Sequence, residues 1–250
     1  QALTSAAIID WDNDESLDAV AGVDQLDEAV EDRYQVIINL EDDSPMHSAS
    51  FNIPMYTLYG EEVSDAPLTV DGINETAFGF VAGTSYGRVH RATFGRSELS
   101  LLGDLDGNRI MYVELSELDD GKGDGQLDIV VASDEAESVF LFQGNRGESD
   151  GFGDIISMNV TLPVRDVVAI DADLDGDTDF IVTAPESEDP LVLLRNDGVA
   201  GLLPAGLTGR TWSKQTMASN NPPKNIASGA LNGKDEDDDW VAGAGNQNSA

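Results

Sequence analysis

Cysteine is absent from the 250 residues. Disulfide scaffolds, thiolate zinc centres and cysteine nucleophiles are therefore excluded, and some other cross-link must hold the loops. Basic residues are also scarce: 13 Lys and Arg stand against 48 Asp and Glu, a formal net charge of -35. A surface of that sign repels phosphate backbones and anionic lipid, so neither nucleic acid nor membrane insertion is expected. No apolar run is long enough to span a bilayer, and the opening residues form no leader-like segment. Histidine occurs only at His47 and His90, each read as a strand or surface residue rather than a base. No zinc spacing is present, nor a phosphate-cradling glycine loop followed by a helix.

The carboxylates that are there are not evenly spread. Asp171, Asp173, Asp175, Asp177 and Asp179 alternate along one nine-residue stretch, with Gly176 between the third and fourth. Five such charges repel one another unless a cation gathers them. Calcium takes six to eight oxygen ligands at about 2.3–2.6 Å, and a D-x-D-x-D-G start wraps three carboxylates around it, the glycine allowing the sharp turn. An EF-hand then needs an acid at loop position twelve and a following helix. Position twelve here is Val182, the last acid is Asp179 at position nine, and residues 180–184 read as a buried β-strand. The loop joins two strands.

The same device recurs. Asp10, Asp12, Asp14, Ser16 and Asp18 occupy the odd positions of a second loop leading into residues 19–22, with Glu15 where glycine is expected. A third, Asp120, Lys122, Asp124, Gln126 and Asp128, leads into residues 129–133; Lys122 replaces one ligand and weakens it as a site. Residues 232–239 fit with a one-residue insertion, and at 78–83 the strand half survives but Gly79 stands where the last acid belongs. That copy is expected to have lost its metal. The units recur every 50 to 60 residues or so, a spacing that suits four-stranded β-propeller blades.

These loops, with Phe78-Gly79 and Ala82-Gly83, resemble the FG-GAP/VCBS family of calcium-binding propeller repeats, which includes the integrin α-subunit head. The resemblance covers nearly the whole chain. It implies an all-β propeller of about four and a half blades in one domain over residues 1–250, with calcium linking the first two strands of a blade. Two calcium sites are expected, with residues 120–128 as a candidate third. Because such sites use millimolar calcium, the resemblance implies a secreted or cell-surface location.

Blade one is expected at 6–9, 19–23, 34–40 and 48–58, blade two at 68–71, 78–83, 88–93 and 98–102. Blade three is expected at 110–118, 128–133, 139–143 and 155–162, blade four at 167–170, 180–184, 191–194 and 211–217. A fifth is half present at 225–231 and 240–244. The natural chain is therefore expected to be longer, with six to eight blades, or another chain pairs with the unfinished blade. Asp104 to Asn108 starts like a calcium loop but has Tyr112 at position nine, and reads as an interblade turn. Asn74 and Asn159 head glycosylation sequons.

A repeated loop argues for a structural staple, since an active site occurs once. The leading reading is a binding, adhesion or scaffolding module for protein or glycan, with Trp11, Trp212 and Trp240 as contact candidates that core packing claims more often. The alternatives are a carbohydrate-active enzyme of the polysaccharide-lyase kind and a subunit of a surface filament or sheath.

Overall fold

The computed structural model describes residues 2–12, 14, 16–24, 32–38, 46–54, 56–58, 61–63, 65–72, 79–116, 128–144, 152–175, 178–186, 188, 190–199, 210–217, 223–229 and 239–244. Every regular element among them is a β-strand, and none is a helix that could cross a membrane.

The first sheet runs β1 (Ala2–Ile9), β2 (Asp18–Asp24), β3 (Arg33–Ile38) and β4 (Met46–Asn52) in sequence order. A hairpin of β5 (Tyr56–Leu58) and β6 (Glu61–Val63) follows. The second sheet holds β7 (Pro67–Gly72), β8 (Phe80–Thr84), β9 (Arg88–Ala92) and β10 (Ser100–Asp104). The third holds β11 (Ile110–Ser116), β12 (Asp128–Ser133), β13 (Ser138–Gly144) and β14 (Phe152–Asn159). The fourth holds β15 (Asp166–Ile170), β16 (Asp179–Thr183), β17 (Leu191–Val199) and β18 (Arg210–Thr216), and β19 (Pro223–Gly229) pairs with β20 (Asp239–Ala244) as a two-stranded fifth. Four antiparallel meanders and a half sheet are the four and a half blades that the repeat spacing predicts.

The second strand of a blade is its most buried. All described residues of β8, β12 and β16 are buried, which is why their sequences are unbroken apolar runs rather than alternating ones. By Cα clustering the chain divides into two compact units, Gln1–Leu115 and Ser116–Ala250.

In the first unit β1 runs alongside β7, and Ile9, Val20, Tyr34, Val36 and Phe51 close over Val70, Phe80 and Ala92. Trp11, Phe51 and Phe80 meet with ring centroids 5.6–5.9 Å apart, mostly edge to face. The Tyr34 hydroxyl donates to the Gly83 carbonyl at 3.2 Å, so even the one polar atom of that ring is satisfied inside the core. In the second unit β15 runs alongside β19, and Val168, Ile170, Ile181 and Leu191 pack with Ile226.

Carboxylates tie successive first strands together in each unit. Asp71 on β7 accepts the Leu115 N–H at 2.8 Å, and Asp166 on β15 accepts the Ile226 N–H at 2.9 Å. Burial raises the pKa of both acids, and the hydrogen bonds only partly offset it.

Several predicted strands differ in their bounds, β17 running to Val199 where 191–194 is expected, and one is split. The sequence places a single outer strand at 48–58, whereas β4 ends at Asn52 and a separate hairpin begins at Tyr56. Pro54 is the physical reason, because it offers no N–H to a ladder. Just before it, Ile53 leaves the strand to donate its N–H to the Asp32 carbonyl at 2.8 Å.

Candidate metal centres

The first loop leaves β1 at Ile9 and enters β2 at Asp18, and those two residues are register partners. Ile170 and Asp179 are paired identically at the mouth of the loop between β15 and β16. In each, the carboxylate at position nine turns back and accepts the main-chain N–H at position two: Trp11 to Asp18 Oδ2 at 2.7 Å, Ala172 to Asp179 Oδ2 at 2.9 Å. In each, the carboxylate at position one accepts the N–H at position five: Asp14 to Asp10 Oδ1 at 3.2 Å, Asp175 to Asp171 Oδ1 at 3.1 Å. Two segments 161 residues apart thus adopt one hydrogen-bonded frame.

That frame gathers carboxylates. Asp10, Asp12 and Asp18 each present an oxygen within 4.8 Å of the others, and so do Asp171, Asp173 and Asp179. Two oxygens on one calcium ion lie at most about 5 Å apart, so either trio can share an ion. The clusters could hold a metal, and their donors are all hard oxygen, the kind calcium and magnesium take rather than zinc or copper.

The electrostatics agree. Asp12 Oδ1 is buried with no hydrogen-bond partner, an acceptor left for a cation. Burial, followed by the charges of Asp14, Asp18 and Asp10, pushes the Asp12 carboxyl above its ordinary pKa. Asp179 is raised chiefly by burial and further by Asp173 and Asp175, against the lowering effect of the N–H groups of Asn196 and Ala172. A bound cation relieves both kinds of strain.

Position five behaves differently. Asp14 is exposed and turned toward Ser16, whose N–H donates to Asp14 Oδ1 at 2.9 Å and whose hydroxyl donates to the same oxygen. Those bonds lower the Asp14 pKa. Asp175 is exposed as well, and Asp177 lies outside the described residues.

Of the third loop, Asp120, Lys122, Asp124 and Gln126 lie outside the described residues, but Asp128 is in view. It is 1% exposed, and its Oδ1 accepts the Gly144 N–H at 2.7 Å. Asp179 Oδ1 accepts the Asn196 N–H at the same 2.7 Å from the corresponding place on the third strand of its own blade. The fifth loop is outside the described residues too, yet Gly229 pairs with Asp239 across ten positions where Ile170 and Asp179 span nine. This is the insertion read from the sequence.

In blade two the missing acid has a steric cause. Gly79 has φ +85°, and a Cβ there would lie 2.0 Å from the Ala92 carbonyl oxygen. No aspartate fits. At 104–108 the expected turn is present: Asp106 and Gly107 have φ 55° and 84°, and Asn108 donates its N–H to the Leu105 carbonyl at 3.1 Å.

Three features escaped the sequence reading. Residues 83–87 read Gly-Thr-Ser-Tyr-Gly, the spacing of a nucleophile elbow. The structure puts Ser85 in the turn of a β-hairpin rather than between a strand and a helix, with its hydroxyl donating to Asp65 at 3.1 Å and accepting the Ala66 N–H at 3.0 Å. Asp65, 2% exposed, also takes the hydroxyl of Thr84 and pairs with Arg88 at 2.6 Å, a buried structural knot. His90, which the sequence reads as a strand or surface residue, lies on β9, is 2% exposed and has neither ring nitrogen hydrogen-bonded among the described residues. The third feature is Arg195, on β17 beside the second cluster; a lone arginine after an apolar strand was its only signal.

Trp11 is buried, Trp212 stacks on Phe180 at 5.5 Å, and the side chain of Trp240 lies outside the described residues. A shallow hollow at residues 95–100 is lined by one loop, without groups converging from several strands.

No family model and no curated protein matches this sequence. In three dimensions the chain matches a solved protein from Lactobacillus plantarum with a TM-score of 0.54 and 13% identity, over 92% of this chain and 60% of that one. At that identity the likeness concerns fold alone. With the four meandering sheets, it makes this an all-β protein of the β-propeller-like class, carrying two acidic clusters that could hold a metal ion.

Proposed function

We propose that the chain is a calcium-stapled propeller module of the FG-GAP/VCBS kind that works outside the cell as a binding, adhesion or scaffolding surface for protein or glycan. The observation that carries the reading is the repeated frame: the same two main-chain bonds and the same trio of carboxylates at the β1–β2 and β15–β16 junctions. Asp10, Asp12 and Asp18 hold one ion and Asp171, Asp173 and Asp179 the other. Each ion neutralises its cluster and fastens the first strand of a blade to the second. With no cysteine in the chain, these ions take the place of covalent staples.

Elemental analysis and thermal unfolding test the metal. Two calcium ions are expected, or three if residues 120–128 bind, with one lost in Asp12→Asn and one in Asp173→Asn. Free calcium a hundredfold above the dissociation constant stabilises the fold by about 2.7 kcal/mol per site, so chelator lowers the melting temperature by several degrees. A protein that takes up no calcium at millimolar concentration and melts alike in chelator sinks the proposal. The binding role is tested on arrays of polysaccharides and matrix proteins in calcium and in chelator, where retention on none refutes it.

A further inference from the structure

We infer that Arg195 is a resident competitor for the cation at the Asp171–Asp173–Asp179 cluster, so that the two loops differ in calcium affinity and this one fills second. The inference rests on the calcium reading above.

Strand register identifies the position. Phe180 pairs with Leu194, which sets Arg195 beside Asp179. The same register sets Gln143 beside Asp128, since Ile129 pairs with Phe142, and Ile38 beside Asp18, since Ala19 pairs with Ile37. One structural position is therefore aliphatic in blade one, a neutral amide in blade three and a cation in blade four.

The cation is aimed at a ligand. Arg195 Nη1 lies 3.7 Å from Asp173 Oδ2, while Nε donates to Asp197 Oδ1 at 2.6 Å and Nη2 pairs with that same oxygen. The guanidinium thus already balances part of the charge that calcium would balance, and it stands close enough to repel a dication. Asp197 gives it a second anchor, so calcium displaces one loose contact rather than a buried ion. The side chains of Arg195 and Asp173 are 44% and 37% exposed, and water screens the competition. Exposed ion pairs of this kind change an equilibrium by up to about fivefold.

Calorimetric calcium titration of single-loop proteins tests this. In the Asp12→Asn background, which leaves the 171–179 loop, Arg195→Gln tightens calcium binding about three- to fivefold at low salt. Raising potassium chloride to about 0.5 M shrinks the gain, and Arg195→Lys, which keeps the charge, restores weaker binding. Asp197→Asn acts oppositely: freed from its anchor, the guanidinium engages Asp173 more and calcium binds more weakly. In the Asp173→Asn background none of these changes alters binding at the 10–18 loop. Unchanged or weakened affinity in Arg195→Gln, with Arg195→Met as a second neutral variant should the first fold poorly, overturns the role of Arg195 and leaves the calcium reading standing. An unaltered protein that binds no calcium overturns both.

Discussion

Asp179 and Asn196 are joined by a 2.7 Å bond from the asparagine N–H to the carboxylate, while the other carboxylate oxygen takes the N–H of Ala172. One buried side chain thus fixes the loop start, its own strand and the next strand, and each oxygen keeps a lone pair for a metal.

Replacing Asp179 with alanine is expected to cost about 2–4 kcal/mol in urea unfolding, because two main-chain donors lose their acceptor. The loss persists in chelator. Asp171→Ala, by contrast, loses most of its effect once calcium is removed. Equal losses for the two variants in chelator would show that Asp179 serves only as a ligand.

Trp11 lies inside the first loop, and Trp212 stacks on Phe180 next to Asp179. Terbium, an oxygen-seeking calcium surrogate, should therefore show tryptophan-sensitised emission from both loops. Trp11→Phe and Asp12→Asn are expected to remove the same component of the titration, Trp212→Phe and Asp173→Asn the other. Loss of both components in any one of these variants contradicts two independent sites.

Burial and the nearby Arg88 hold His90 at a pKa of about 4 against an ordinary 6.5. The folded protein binds this proton later than the unfolded chain does, so His90 withdraws stability as pH falls from about 6.5 to about 4, by about 3 kcal/mol in all. His90→Leu is expected to lack that decline. Asp71 and Asp166, raised by burial, act in the opposite sense, but they are common to both proteins and cancel in the difference. Parallel stability curves from pH 7 to pH 4 in chelator would refute the assignment.

Leu174, at position four of its loop, has φ +62° and is 64% exposed. A left-handed conformation costs a leucine roughly 1–2 kcal/mol, and the exposed side chain recovers little by packing. Leu174→Gly is expected to raise the urea midpoint in calcium. A lowered midpoint would show that the leucine packs on something in the metal-bound state.

Most of the fold was legible because the second strand of a blade is an unbroken apolar run, announced in every blade but the second by an acidic loop as well. Residues 128–133 were read to the residue for that reason. The odd-numbered carboxylates were legible as a set but not in their separate duties. Nothing in the spacing tells that position nine anchors main chain, that Asp14 turns to Ser16, or that Arg195 leans on Asp173, since each depends on which strand lies opposite. The Asp65–Arg88 pair was invisible because its partners lie 23 residues apart, one just before β7 and the other at the start of β9. The elbow-like spacing around Ser85 shows the converse: a motif's spacing can occur without the strand-to-helix setting that its chemistry uses.

Asp128 keeps its bond to Gly144 in the repeat whose loop carries Lys122. Fastening the backbone thus does not require the full set of carboxylates in the loop. Where the ninth aspartate is absent, at Gly79, the corner takes a left-handed backbone that admits no side chain. On the calcium reading, ion number can therefore be set blade by blade by substituting the acids that precede the ninth aspartate, while the four sheets stay as they are.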